Sequence, residues 1–335
     1  MKNNFNLMRL LFAASVVVSH AFGMLGLPEP SVWGLSAGGA AVHGFFVISG
    51  YLITQSYARS VSTVTFSLNR VLRIVPGLLC ALGFARVLWI ILDRYDPLLH
   101  NGPLWTLAWE AACYVAVAAA GMLGVLTKRN AGLFIFVAWV LYLSNSASDT
   151  ETFRIVVPMF MLFMMGGSIA LFEDQIQFSS AAAIAIPILV VLFCPRLFDP
   201  ALTAFRYLSF YHSAPLTDWQ MHEIPYLLAF PFFIIYVGKY LPALVAPKSD
   251  LSYGIYIYGW PVEVAVGYLA HKHNLPLLTH LWGYVPVVLV ITVGMALMSW
   301  HIIEKPALLL KRRVPAIRSA VTADDGSGQE TAGAN

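Results

Sequence analysis

Charge is what this sequence most lacks. Aspartate, glutamate, lysine and arginine make up 11% of its 335 residues, against roughly 25% in a typical soluble domain, while apolar side chains make up 59%. That balance excludes an ordinary soluble protein and points to a polytopic membrane protein. Cysteine is also scarce: Cys80, Cys113 and Cys194 lie in apolar runs with neither CxxC nor Cys/His spacing. They read as small core residues, so neither a metal nor a disulfide is expected. The net charge of +3 comes from basic residues scattered between apolar runs. No continuous basic face exists for a nucleic acid, and none is expected as a partner. Internal repeats are lacking, and one membrane domain over residues 1–310 with a tail over 311–335 suffices.

What is present is a succession of apolar runs. A membrane helix needs about 20 such residues, and the candidates fall at 7–26, 38–58, 72–92, 104–126, 133–146, 156–172, 180–194, 224–240, 253–269 and 282–303. The expected fold class is therefore all-α, an integral bundle of about ten transmembrane helices. Lys2 and Arg9 before an apolar core imitate a signal peptide, but the apolar stretch resumes over 21–27 and many runs follow, so a retained first helix is expected. With the N-terminus inside, Arg59, Arg70, Arg73, Lys128, Arg129, Lys239, Lys248, Lys311, Arg312 and Arg313 fall on the cytoplasmic side, which predicts that both termini are cytoplasmic. The outer loop 195–223, containing RYLSFYHSAPLTDW, suits either an interfacial aromatic belt or contact with a sugar. The small, polar tail is expected to be disordered.

A few ionisable residues interrupt the apolar runs. Arg9 and His20 are eleven positions apart, which on an α-helix leaves an angular offset of about 20° and a rise of roughly 16 Å. They share one face at two depths. Arg9 can snorkel to the inner headgroups and His20 can be a neutral core histidine, but charge inside a membrane usually faces the bundle interior and serves a function. His43, Arg86 and Glu110, on the next three runs, fall at about the depth of His20, so the four are expected to converge on one another or on a polar cavity; the alternative is an Arg86–Glu110 ion pair with bystander histidines. Glu110 and Tyr114 are four apart, as a hydroxyl that orients a carboxylate requires. Arg70 and Arg73 are three apart at the cytoplasmic boundary, suited to phosphate recognition or to plain topology-setting flanks. Gly44 and Gly50 around Ser49 read as close helix packing. Glu304 and Lys305 before Pro306 read as a boundary pair and a helix stop.

Taken in order, these segments resemble the acyltransferase 3 family of integral membrane O-acyltransferases, which modify bacterial surface and exported glycans. The Arg9–His20 spacing matches the family's opening arginine and histidine. FFVISGYLI is similar to its FFVLSGFLI-like signature, NRVLRIVP to RRxxRIxP, PLWTLAWEAACY to PLWSLSVEEQFY, SYGIYIYGWPV to SYSLYLWHWPV, and IIEKP to IERP. The chain departs from the pattern at the His43–Gly44 region, where an acidic residue is common, at Ala111 in place of a second glutamate, and at Gly259 in place of a histidine. Arg86 has no counterpart.

The resemblance implies transfer of an acyl group, commonly acetyl, from cytoplasmic acetyl-CoA or another acyl-CoA to a carbohydrate hydroxyl, without a metal, in the bacterial inner membrane. A transporter or flippase for a glycan or lipid is the competing function. Under the acyltransferase reading His20 is the general base or a transient acyl carrier, Glu110 with Tyr114 orients it, and Arg9, Arg70 and Arg73 hold the donor. His43 and Arg86 form a secondary polar cluster.

Overall fold

The computed structural model describes residues 3–32, 35–92, 102–145, 151–176, 218–243, 245, 247 and 249–310. The expected run at 180–194, most of the 195–223 loop and the tail beyond 310 lie outside them.

Helix α1 (Phe5–Met24) leads through a two-residue antiparallel ladder, Ser31 opposite Ser36 and Val32 opposite Leu35, into α2 (Ala37–Ala58). The Ser36 side chain caps α2 by accepting from the Gly39 N–H at 3.1 Å, satisfying one of the orphan donors of a helix start. Helix α3 (Thr63–Ile91) is capped likewise by Ser62. It begins a full two turns before the expected run, so Arg70 and Arg73 lie within the helix. Then come α4 (Leu104–Met122), α5 (Lys128–Asn145), α6 (Glu151–Leu171) and α7 (Asp218–Ile235), the last widening into a π turn at Tyr236–Tyr240. Helix α8 (Ser252–Lys272) and a short 3-10 turn, Pro276–Thr279, precede α9 (Leu281–Ser299).

The expected stop at Pro306 is not one. Helix α9 passes through a π turn at Trp300–Glu304 into α10 (Lys305–Leu309), where Pro306 occupies the first turn, a position that needs no intrahelical N–H. Nor do Glu304 and Lys305 form a boundary pair: Glu304 is buried and takes a hydrogen bond from Ser299 at 2.8 Å, while Lys305 is exposed.

Five helices among the described residues are long and apolar enough to cross a membrane: α1, α2, α3, α4 and the run Leu281–Leu309. Ile155–Leu171 and Ile224–Tyr240 are apolar but shorter. The structure thus supports a helical membrane protein with five such spans among these residues, where about ten were expected.

Helix α2 is the centre. Twelve of its residues are buried, from Gly38 to Thr54. Its closest neighbour is α6, and the approach is set by reciprocal glycines: a Cβ on Gly50 would strike the Phe163 carbonyl oxygen, and one on Gly166 would strike that of Val47. Without a hydrophobic driving force between helices in lipid, such backbone approach supplies van der Waals contact that larger residues forbid. Helix α2 runs back along α1, with Gly38 against Ser19 and Gly44 against the Phe12 ring.

Helices α1 and α8 run parallel in a constant register. Arg9 meets Asp250 just before α8, Gly259 lies under Val17, and His20 meets Trp260 and Glu263. The α1 entrance is fastened to the end of α7: the Asn4 amide nitrogen donates to the carbonyls of Val237, Leu241 and Pro242 at 3.1, 3.1 and 3.2 Å, groups that a terminal π turn leaves free. Beside it Glu173 binds Lys239, Gln55 and Tyr51, joining α2, the exit of α6 and the π turn.

The glycine contacts generate a paired expectation for melting in detergent. Gly50→Ala forces α2 and α6 apart and should cost about 1–3 kcal/mol. Gly83→Ala in α3, where nothing lies within 4 Å, should gain about 0.5–1 kcal/mol from helix propensity. Equal melting of the two variants would show that the glycine approach does not hold the bundle.

Candidate active site

Three groups of interior polar residues lie at successive levels along the α1–α8 pair. At the first, Asp250 joins three helices. Its Oδ2 accepts from Arg9 Nη1 of α1 at 3.1 Å and from Arg73 Nη2 of α3, and its Oδ1 accepts from Ser252 Oγ at the start of α8 at 2.6 Å. Burial pushes the Asp250 carboxyl up, but the Arg9 and Arg73 guanidiniums, with the Ser252 hydroxyl, prevail and hold it well below the usual carboxylate range. Arg70, one helical turn from Arg73, does not share this carboxylate. Its Nη2 donates to Ser56 Oγ at 2.6 Å, its guanidinium lies 5.5 Å from the Phe66 ring centroid, and its buried Nε has no hydrogen-bond partner among the described residues.

At the middle level Glu110 accepts from Tyr114 Oη at 2.5 Å and from Ser49 Oγ. The four-residue spacing on α4 therefore brings hydroxyl and carboxylate together, and Ser49 of α2 serves that carboxylate. Beside it lies a cleft that Arg9, Phe45, Leu107, Glu110 and Tyr256 help to line.

At the third level His20 Nδ1 stands 3.5 Å from Glu263 Oε2, and the imidazole meets the Trp260 ring edge-on with centroids 5.2 Å apart. Glu263 is fully buried, and its backbone carbonyl accepts from Tyr284 Oη of α9 at 2.6 Å. The His20 side chain keeps 28% exposure. A partly accessible imidazole backed by a buried carboxylate is the arrangement of a general base and its orienter, and such contacts are commonly long before substrate binds.

This geometry rearranges the expected layer. The carboxylate expected beside His20 was Glu110; the one that stands there is Glu263, while Glu110 turns to Tyr114 and Ser49. His43 is buried in the contact of α2 with α7, with Nδ1 3.2 Å from Tyr226 Oη. Arg86 lies on the exposed face of α3. Equal depth on separate helices says nothing of the direction each residue faces, and the four face different neighbours. Sequence reasoning missed Asp250 and Glu263. Glu263 had a readable signal, an acid inside an apolar run, which is costly in lipid unless it has a use. Asp250, in a polar turn, had none.

The acyltransferase domain model matches residues 2–303. The chain is 29% identical to an O-acetyl transferase of Shigella phage Sf6 over 90% of this chain and 95% of that protein. It is 28% identical to Nodulation protein 10 of Rhizobium leguminosarum bv. viciae over 96% of this chain and 97% of the relative. No solved structure matches.

The Asp250 junction yields a pH signature. A carboxyl whose folded value is depressed contributes its full stability above its unfolded value of about 3.9 and loses it as pH falls towards the folded one. Wild-type melting temperature should therefore hold from neutral pH to about pH 5 and drop below about pH 4. Asp250→Asn, which leaves two guanidiniums with one neutral partner, should cost about 3 kcal/mol or more at neutral pH and show a flatter acid limb. A variant that melts like wild type at pH 7 would remove the junction from the account.

Proposed function

The chain belongs to the acyltransferase 3 family, and from that premise we propose that it transfers an acyl group, acetyl in the first instance, from cytoplasmic acyl-CoA to a hydroxyl of a surface or exported polysaccharide, lipopolysaccharide or other glycoconjugate. The observation that carries the reading is the His20–Glu263 pair, set on the two parallel helices that the Arg9–Asp250 contact joins at the threshold of α8. From Asp250 to Glu263 is thirteen residues of nearly continuous helix, a rise of about 20 Å. Donor and acceptor can then meet in the bundle from opposite faces of the inner membrane, with both termini in the cytoplasm.

In this mechanism the acceptor hydroxyl gives its proton to His20 as its oxygen attacks the thioester carbonyl carbon. Glu263 holds the ring and stabilises the imidazolium that forms. The C–S bond breaks as the new C–O ester bond is retained, and the departing CoA thiolate takes the proton back from His20. No charge is left behind, and His20 is ready for another cycle.

The arginines divide the donor's binding differently from the sequence expectation. Arg9 and Arg73 are committed to Asp250, so they set the frame. Arg70 has no carboxylate partner among the described residues and is the guanidinium free to take CoA phosphate oxygens, bidentately as arginine can.

The test uses membranes carrying the expressed chain, labelled acetyl-CoA and recovered surface glycan. His20→Ala and Glu263→Gln should each lower ester formation by about 10² to 10⁴-fold at unchanged protein level, the range of a general base. Arg70→Ala should chiefly raise the apparent KM for acetyl-CoA, with partial rescue by Arg70→Lys. Normal esterification by both His20→Ala and Glu263→Gln would overturn the mechanism, and unchanged donor saturation in Arg70→Ala would overturn the donor assignment.

A further inference from the structure

The cleft at the middle level has dimensions and a lining that bear on which acyl groups can be carried. Resting on the acyl-CoA reading above, we infer that this cleft is an acyl-selectivity pocket that admits acetyl and discriminates against butyryl and succinyl. The cleft is partly open, and its volume is about 40 Å³. At roughly 10–15 Å³ for each water-sized body, that is room for about three of them, which an acetyl group fills and longer acyl groups exceed.

The walls explain why the space does not extend. On one side Phe45 of α2 packs edge-on against both Phe12 of α1 and Tyr256 of α8, with centroids 5.7 and 5.8 Å apart. Leu107 of α4, itself buried, is another part of the wall. Beside them the Tyr256 and Thr106 hydroxyls lie within hydrogen-bond distance of each other and, at 3.1 and 2.9 Å, of the Pro103 carbonyl oxygen; with one proton each they make two of these three bonds at a time and cross-link α8 to the start of α4. A chain longer than the pocket must break that cross-link or displace Phe45. Tyr256 is four residues from Trp260, which touches His20, so an acyl group lodged here is about 6 Å along the helix from the level of the base.

Charge adds a second filter. Glu110 lines the cleft and is held by the hydroxyls of Tyr114 and Ser49, which stabilise a carboxylate without neutralising it. Arg9, the cation that also lines the cleft, is bound to Asp250. The terminal carboxylate of a succinyl group would face Glu110 at low dielectric, where like charges repel most strongly.

The experiment is competition against labelled acetyl-CoA on the purified full-length chain in detergent, with CoA, acetyl-CoA, propionyl-CoA, butyryl-CoA and succinyl-CoA as competitors. Wild type should bind acetyl-CoA best, with butyryl-CoA and succinyl-CoA weaker by about tenfold or more, the scale on which a pocket senses an added methylene. Phe45→Ala and Leu107→Ala should each restore butyryl-CoA towards acetyl-CoA while leaving plain CoA unaffected. Glu110→Gln should improve succinyl-CoA without helping butyryl-CoA. Melting curves identify any variant that fails to fold, and the wild-type ranking stands as a test without it. If the wild type binds all four esters alike, the inference is wrong although the acyl-CoA reading survives. It is equally wrong if both wall variants fold and keep the wild-type ranking. If neither CoA nor acetyl-CoA competes, the acyl-CoA reading fails and this inference with it.

Discussion

A single carboxylate sets the frame of this molecule. Asp250 is bound by Arg9 from α1 and Arg73 from α3 while standing at the threshold of α8. A guanidinium within a membrane bundle is costly unless paired, and one acid relieving two of them makes the three helices interdependent. It also sets the register of α1 against α8. Because the two helices run parallel, fixing one end places every later contact, and His20 arrives opposite Trp260 and Glu263 beyond the close approach of Gly259 to Val17. Moving Asp250 by a residue would rotate α8 by about 100° and take Glu263 away from the imidazole.

Around that polar spine the bundle is held by close packing of small residues, which leaves the interior free to carry polar groups. Helix α2 can bury Ser49 and His43 because Gly50 and Gly166 bring α6 against it, backbone to backbone. Several buried polar groups along the α1–α8 pair then serve another: Ser49 and Tyr114 attend Glu110, Ser252 attends Asp250, and Tyr284 holds the α8 backbone at Glu263. The sequence of charges along the spine, a clamped cation pair, a cleft lined by Glu110 and by Arg9, and an imidazole with a buried acid, suits a reaction that takes an anionic donor from one side and a neutral hydroxyl from the other.

Much of this was legible in the sequence because it is local. Helical periodicity alone puts Arg9 and His20 on one face, and four-residue spacing alone puts Tyr114 on Glu110. The glycines of α2 carry their own signature of close packing. The partners that complete the site are not local: Arg9 and Asp250 are separated by 241 positions, and no periodic rule connects them. Depth inferred from hydropathy put His20 and Glu110 in one layer, which is the height of a residue without its direction. The distinction decided the outcome, since Glu110 points to α2 and Glu263 to α1. Pro306 misled for a related reason. A proline is a barrier only where its missing N–H is needed, and after a π turn it begins a new helix.

The central claim is that His20 and Glu263 act as one unit, and a double-mutant cycle on glycan esterification tests it most directly. Residues that work together are strongly non-additive. The account predicts that His20→Ala combined with Glu263→Gln is scarcely worse than either change alone, while His20→Ala combined with Glu110→Gln multiplies the two separate losses. Additive losses for His20 with Glu263, together with non-additive losses for His20 with Glu110, would contradict it and return the catalytic carboxylate to α4.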